Sequence, residues 1–217
     1  MSMMNILPQG FTYLNDPRII LSMNYAGSEN FIGRPIAGYN AKVCILTKEA
    51  HDAIKAVQDT LDTYKKEYRI RIFDAYRPTT AVADFKQWAE NPNDHKMKTI
   101  YYPDLDKTEL HKEGYVMFEK SSHSRGSTLD LTITIPSPKN PFNYLDLDMG
   151  TIIDLFSETS HTNFPTISEK AKNNRQFLKS AMEKHGFKNY EKEWWHFTLE
   201  NEPFPNTYFD FPITAMS

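Results

Sequence analysis

A single cysteine, Cys44, leaves no partner for an internal disulfide in these 217 residues. It sits between Val43 and Ile45 and reads as a small buried hydrophobe rather than a nucleophile. That usage is compatible with a reducing compartment. No stretch approaches the ~18 apolar residues of a membrane span. Met1 to Phe11 lack a basic start followed by an apolar run, so no signal peptide is expected. A cytoplasmic location is the expectation, with the periplasm left open to a chain whose leader has been removed. Concentrated positive charge is missing too: the formal net charge is −3, and the densest basic stretch, Lys65, Lys66, Arg69 and Arg71, is interrupted by Glu67. It reads as a solvated helix end, and nucleic acid is not an expected partner. Internal repeats and low-complexity segments are absent as well.

What is present suits one globular domain over residues 1–217. Hydrophobic residues make up 40% and charged residues 24%, and 14 Phe, 12 Tyr and 3 Trp supply a core. Residues 1–40 are rich in turn formers and read as extended segments packed on that domain. Thr47 is an N-cap for a helix in which Ala50, Ala53, Ile54, Val57, Leu61 and Tyr64 recur at helical spacing. Arg69 to Phe73 alternate and are β-branched, which predicts a strand. Pro78 holds Arg77 extended, and Thr79 or Thr80 is placed to cap a second helix carrying Val82, Phe85, Trp88 and Ala89. Residues 91–112 read as an irregular polar excursion suited to a lid, and Tyr115 to Phe118 as a short strand. Leu129 to Ile135 alternate cleanly, with Asp130, Thr132 and Thr134 opposite the apolar face, and Pro136 and Pro138 are expected to end that strand. Residues 136–165 read as loop with short helical pieces. A third helix is expected from about Ser168 to His185, with Gly186 after it, and a final strand from Trp195 to Leu199. Helices and short strands without a βαβ rhythm give an α+β class.

Three segments carry chemistry. In Ser121-Ser122-His123-Ser124-Arg125-Gly126-Ser127-Thr128-Leu129-Asp130, a histidine precedes a glycine-containing loop that leads into a strand. Asp130 points away from that strand's apolar face, and an isolated carboxylate there is costly to bury unless paired or metal-bound. Folding back at Gly126 would bring His123 to Asp130, and both residue types ligate zinc. Read alone, a surface histidine and a capping aspartate explain the segment as well. In Glu193-Trp194-Trp195-His196, surrounded by aromatics, His196 would complete a His/Asp/His set with a fourth position open, and Glu193 is suited to general-base work. A Trp-rich core with a satisfied histidine is the plainer reading. In Asp74-Ala75-Tyr76-Arg77-Pro78, Arg77 offers a permanent cation for an oxyanion, or an ordinary salt bridge to Asp74 or Asp84. His51, His95, His111, His161 and His185 are not assigned to metal.

Taken together, these segments resemble the D-alanyl-D-alanine dipeptidases, the vancomycin-resistance type of zinc peptidase in family M15. The resemblance is carried by the Ser121–Asp130 run, Glu193-Trp-Trp-His196-Phe197, Phe73-Asp74-Ala75-Tyr76-Arg77-Pro78, Asn30 to Ile36, and Asp148-Met149-Gly150-Thr151. It runs from about residue 12 to 200. It implies an α+β fold with the site on a small antiparallel sheet flanked by helices. It also implies one zinc ion on His123, Asp130 and His196, Glu193 as base, and Arg77 at the transition state. Asp148 would hold the substrate's amino group, and Ser121 or Ser122, together with Tyr76, would contact substrate. The activity implied is hydrolysis of the D-Ala-D-Ala dipeptide, a small substrate; nothing speaks against a homo-oligomer. A D,D-carboxypeptidase acting on longer cell-wall peptides is the nearest alternative. Two histidines and a carboxylate also suit a non-haem Fe(II) oxygenase, which needs no base beside the last histidine. A non-enzymatic zinc module would need neither the base nor the arginine.

Overall fold

The computed structural model describes residues 7–216; the first six residues of the stretch read as lacking a leader lie outside them. In chain order the strands are β1 (Phe11–Tyr13), β2 (Ile20–Leu21), β3 (Ile45–Thr47), β4 (Arg69–Asp74), β5 (Thr128–Ser137), β6 (Asn140–Asp146), β7 (Phe187–Asn189) and β8 (His196–Leu199). The helices are α1 (Lys48–Tyr64), α2 (Thr79–Glu90), α3 (Lys98–Tyr101), α4 (Lys107–Lys112) and α5 (Glu169–Glu183). The class is α+β, as expected. β1 and β3 form an antiparallel pair, and the main sheet runs β2-β4-β5-β8-β7, with β6 paired to the far end of β5. Only β2 and β4 are parallel within it.

The alternation of β5 is what separates core from site. Leu129, Leu131 and Ile133 join Ile70 and Ile72 of β4 in a core completed by Ile54, Val57 and Leu61 of α1 and Leu178 and Met182 of α5. Burying such side chains is worth roughly 1.5–3 kcal/mol each, so this face is where the sheet gains its stability. Asp130, Thr132 and Thr134 face the other way and are also buried. A second cluster is built on Tyr25, Phe31, Tyr76, Phe85, Trp88 and Phe156, and four of these, Tyr25, Phe31, Phe85 and Phe156, line one cavity with Asp130.

The caps explain where helices begin. Thr47 Oγ1 accepts from the Ala50 amide at 3.3 Å, as the sequence implies, and Ser168 Oγ accepts from Ala171 at 3.1 Å. Helix α2 differs from expectation. Its cap position is Pro78, which offers no side-chain acceptor. Asp210 from the C-terminal tail substitutes, accepting from the Thr80 amide at 2.6 Å and its hydroxyl at 2.9 Å.

Four other expectations are corrected. Pro136 does not end its strand: β5 continues to Ser137 and returns as β6, with a bulge at Pro136/Ser137 that accommodates a residue lacking an N–H. Six of the seven β6 residues, all but Tyr144, are exposed, so the strand has no alternating signal to read. Residues 91–112 contain α3 and α4, too short to show periodicity. Tyr115 to Phe118 form no strand; the Tyr115 and Val116 amides bond back to the Leu110 carbonyl. The last strand starts at His196, because residues 190–195 are taken up by a turn. Among the described residues no helix is long and apolar enough to cross a membrane.

The N-terminal segments are pinned to α2 by Asp84, whose two oxygens accept from Arg34 at 2.6 and 2.8 Å and from the Ala37 amide at 2.9 Å. The hydrogen bonds from Arg34 hold its carboxyl below the usual range. Asp84→Asn is expected to cost about 1.5–3 kcal/mol in urea unfolding at pH 7. Because the folded pKa is depressed, the deficit is full above the unfolded value of about 4 and disappears as pH falls through the folded one. An unchanged unfolding midpoint at pH 7 would show that Asp84 pins nothing.

Candidate active site

Strand register gathers the first residues. Asp130 on β5 lies directly between Asp74 on β4 and His196 on β8. The pairing with Asp74 depends on a bulge between Ile72 and Asp74; in regular register Phe73 would oppose Asp130 instead. His123 arrives from a 3-10 turn at Ser122–Arg125, which Ser121 caps by accepting from the His123 amide at 3.3 Å. Gly126 closes that turn at φ 84, and a Cβ there would stand 2.2 Å from the Phe11 ring. Only glycine satisfies both constraints.

The two imidazoles lie 4.9 Å apart, centroid to centroid. His123 Nδ1 is 2.7 Å from the Ala75 carbonyl, which can only accept, so Nδ1 carries the proton and Nε2 presents a lone pair. That Nε2 is 3.2 Å from Asp130 Oδ2, and Asp130 Oδ1 is 3.1 Å from His196 Nδ1. Yet His123 Nε2 and Asp130 Oδ1, both buried, make no hydrogen bond. Orphaned buried acceptors are rare in native proteins and ask for a missing partner. His123, Asp130 and His196 each offer one ligand atom, all within 4.8 Å of one another, so they form a group able to hold a metal ion. Ser122 Oγ lies 3.2 Å from His196 Nε2 and can fix that ring's orientation from behind.

Electrostatics agree with that use. Burial lowers the His196 pKa, which favours the neutral, ligating form. Burial opposes a charge on Asp130, and positive charge on the side of His123 and His196, the place a bound cation would take, is what holds its carboxyl far below the usual range.

Glu193 projects from the 190–196 turn, its Oε2 3.5 Å from His196 Nδ1. Asn189 clamps the turn, donating to the Glu193 carbonyl at 3.1 Å and the His196 carbonyl at 3.0 Å. Burial, then the charges of Asp130 and Asp154, push the Glu193 carboxyl well above its ordinary range, making its carboxylate a strong proton acceptor. Arg77 is held by Asp74 Oδ2, at 2.9 Å from Nε and 2.8 Å from Nη2, and lies 5.1 Å from the centroids of the Tyr25 and Phe85 rings. The other Asp74 oxygen accepts from Tyr39 at 2.7 Å.

These side chains share one cavity of about 380 Å³, which His123, Asp130, Glu193, His196, Arg77, Ser121 and Ser122 all line. Two residues expected at the substrate are elsewhere. Asp148 is exposed, accepts from the Gly150 amide at 2.9 Å, and borders a second, more open cavity. Tyr76 is fully buried, stacked on Phe211 at 4.0 Å with its hydroxyl donating to the Phe211 carbonyl. Six residues past Asp148, Asp154 lines the cavity that Asp148 does not reach. It is buried, accepts from Tyr25 at 2.9 Å and has φ 58. Burial, then the charge of Asp130, raise its pKa to about 7. Its loop has no periodic pattern, and a left-handed aspartate leaves no mark in sequence. The cavity wall includes Gly114 to Met117, while no residue of 91–112 lines it.

A family model described as D-ala-D-ala dipeptidase, Peptidase M15, matches residues 15–214. A D-alanyl-D-alanine dipeptidase of Enterococcus faecium is 39% identical over 210 residues, covering 94% of this chain and 98% of the relative. One of Enterococcus faecalis is 36% identical, covering 96% and 100%. One of Streptomyces coelicolor is 36% identical, covering 87% and 90%.

Protein stripped by chelator is expected to take up one divalent transition-metal ion per chain. His123→Ala or Asp130→Asn should weaken uptake at least about 100-fold, as titration calorimetry or metal analysis would read. Wild-type uptake by both variants would dismiss the three residues as a metal group.

Proposed function

The chain belongs to the M15 D-ala-D-ala dipeptidase family and is a peptidase, and from that premise we propose that it hydrolyses D-alanyl-D-alanine using zinc held by His123, Asp130 and His196. The observation that carries the reading is the pair of orphaned acceptors, His123 Nε2 and Asp130 Oδ1, in the cavity that Glu193 and Arg77 also line. A zinc ion there would supply Lewis-acid polarisation of the scissile carbonyl and acidify the attacking water.

The remaining work belongs to side chains. Glu193 takes a proton from the attacking water and returns it to the departing amine; its raised proton affinity suits both transfers. Arg77, fixed by Asp74, faces the carbonyl oxygen and stabilises the charge that develops there. Asp154 accepts the substrate's free ammonium, whose charge would draw that carboxyl down from about 7 and keep it ionised. Ser122 orients His196, while Ser121 spends its hydroxyl oxygen on the turn that carries His123. A cavity of about 380 Å³ walled by Tyr115, Val116 and Met117 suits a dipeptide better than a longer cell-wall peptide. Donor chemistry alone would also admit Fe(II), but a base and a fixed guanidinium beside the set are what hydrolysis uses.

Glu193→Gln should lower kcat by about 10²–10⁴ with metal content retained. Arg77→Ala should lower it by about 10²–10³, and chelation should abolish turnover until zinc is restored. Activity indifferent to both chelation and Glu193→Gln would refute the mechanism. D-Alanine should be released from the dipeptide in preference to a pentapeptide ending in D-Ala-D-Ala; the reverse preference would make the enzyme a carboxypeptidase.

A further inference from the structure

Arg175 of α5 is fully buried, and among the described residues it makes no ion pair. A buried guanidinium without a counter-ion is expensive, so its partners show what it is kept for. All three are backbone carbonyls of one segment. Nε donates to Met149 at 2.7 Å, Nη1 to His161 at 2.6 Å and Nη2 to Thr159 at 2.9 Å. Burial draws its pKa down to about 10, which still leaves the charge that strengthens these bonds at neutral pH.

The three carbonyls lie at the two stems of the 149–161 excursion, and Asp154 lies between them. Asp154 sits at φ 58, a conformation that a non-glycine residue keeps only where its surroundings impose it. Tying both stems to one planar fork provides that constraint, and the Ser160 hydroxyl reinforces it by donating to the Leu155 carbonyl at 2.7 Å. The same stems hold the turn of the base. The Trp194 amide donates to the Ser160 carbonyl at 3.1 Å, and its indole donates to Thr151 Oγ1 at 2.8 Å.

We propose that Arg175 is a positioning residue that fixes Asp154 relative to Glu193 and thereby sets recognition of the substrate's free amino group. This rests on the reading of Asp154 as the ammonium anchor. Lysine keeps the charge but cannot reach both stems at once.

The test compares wild type, Arg175→Lys, Asp154→Asn and the double variant, all as zinc-loaded full chains acting on D-Ala-D-Ala. Backbone amide hydrogen exchange is measured in parallel. In Arg175→Lys, amides of 150–160 should exchange at least about 10-fold faster while those of β5 stay as protected as in wild type. KM should rise about 10-fold with kcat changed by less than about 3-fold. The double variant should be no worse than Asp154→Asn alone, since the two changes remove the same interaction. Wild-type exchange in the loop, a loss confined to kcat, or additive losses would each overturn the proposal. If Arg175→Lys does not fold, Arg175→Gln, which keeps a donor near the Nε position and loses both Nη donors, takes its place. Failure of wild type to cleave D-Ala-D-Ala would instead refute the proposed function, and loop exchange would then decide the role of Arg175 alone.

Discussion

A carboxylate in the middle of a buried sheet is tolerated only if opposite charge or hydrogen bonds surround it, and Asp130 has an imidazole on each side and a guanidinium 3.6 Å away. Much of the local structure serves that arrangement. The bulge in β4 brings Asp74, with Arg77 attached, into line with Asp130; the glycine turn at residue 126 returns His123 to the strand; β8 begins at His196 directly opposite. Remove the charge on Asp130 and two buried imidazoles and a buried guanidinium lose a common neighbour.

The negative charges are graded by their surroundings. Asp130 stays ionised deep in the sheet, while Glu193 and Asp154, buried and lining the same cavity, are pushed upward partly by the charge of Asp130 itself. Carboxyl groups driven apart in proton affinity within one site can take different roles: ligand, proton carrier and anchor for a cation. The positive groups are similarly divided. Arg77 lines the cavity on the carboxylate of Asp74, and Arg175 holds backbone carbonyls and touches no carboxylate among the described residues.

Elements with strong local periodicity were legible in the chain. Helix α1 with its Thr47 cap, strand β4, the alternation of β5 and helix α5 are local signals, and the structure has them within a residue or two. Elements too short or too exposed to carry a pattern were not: strand β6 is exposed and patternless, and α3 and α4 are shorter than two turns. Helix α2 was legible, but its cap was not, because Asp210 lies 130 residues beyond Thr80.

The same division runs through the site. Residue types and spacing made His123, Asp130 and His196 candidates beside plainer readings, and the resemblance of three separate segments to one family is what grouped them as a ligand set. Choosing between Asp148 and Asp154, and recognising that Tyr76 faces Phe211, required knowing which way an irregular loop and a buried ring point. By itself the sequence determined the α+β class, the chemistry of the donors and the apolar face of each regular element, since those depend on composition and on periods of two and 3.6 residues. Only the tertiary structure decided which carboxylates share a cavity, because loop direction is set by contacts between residues that are distant in the chain.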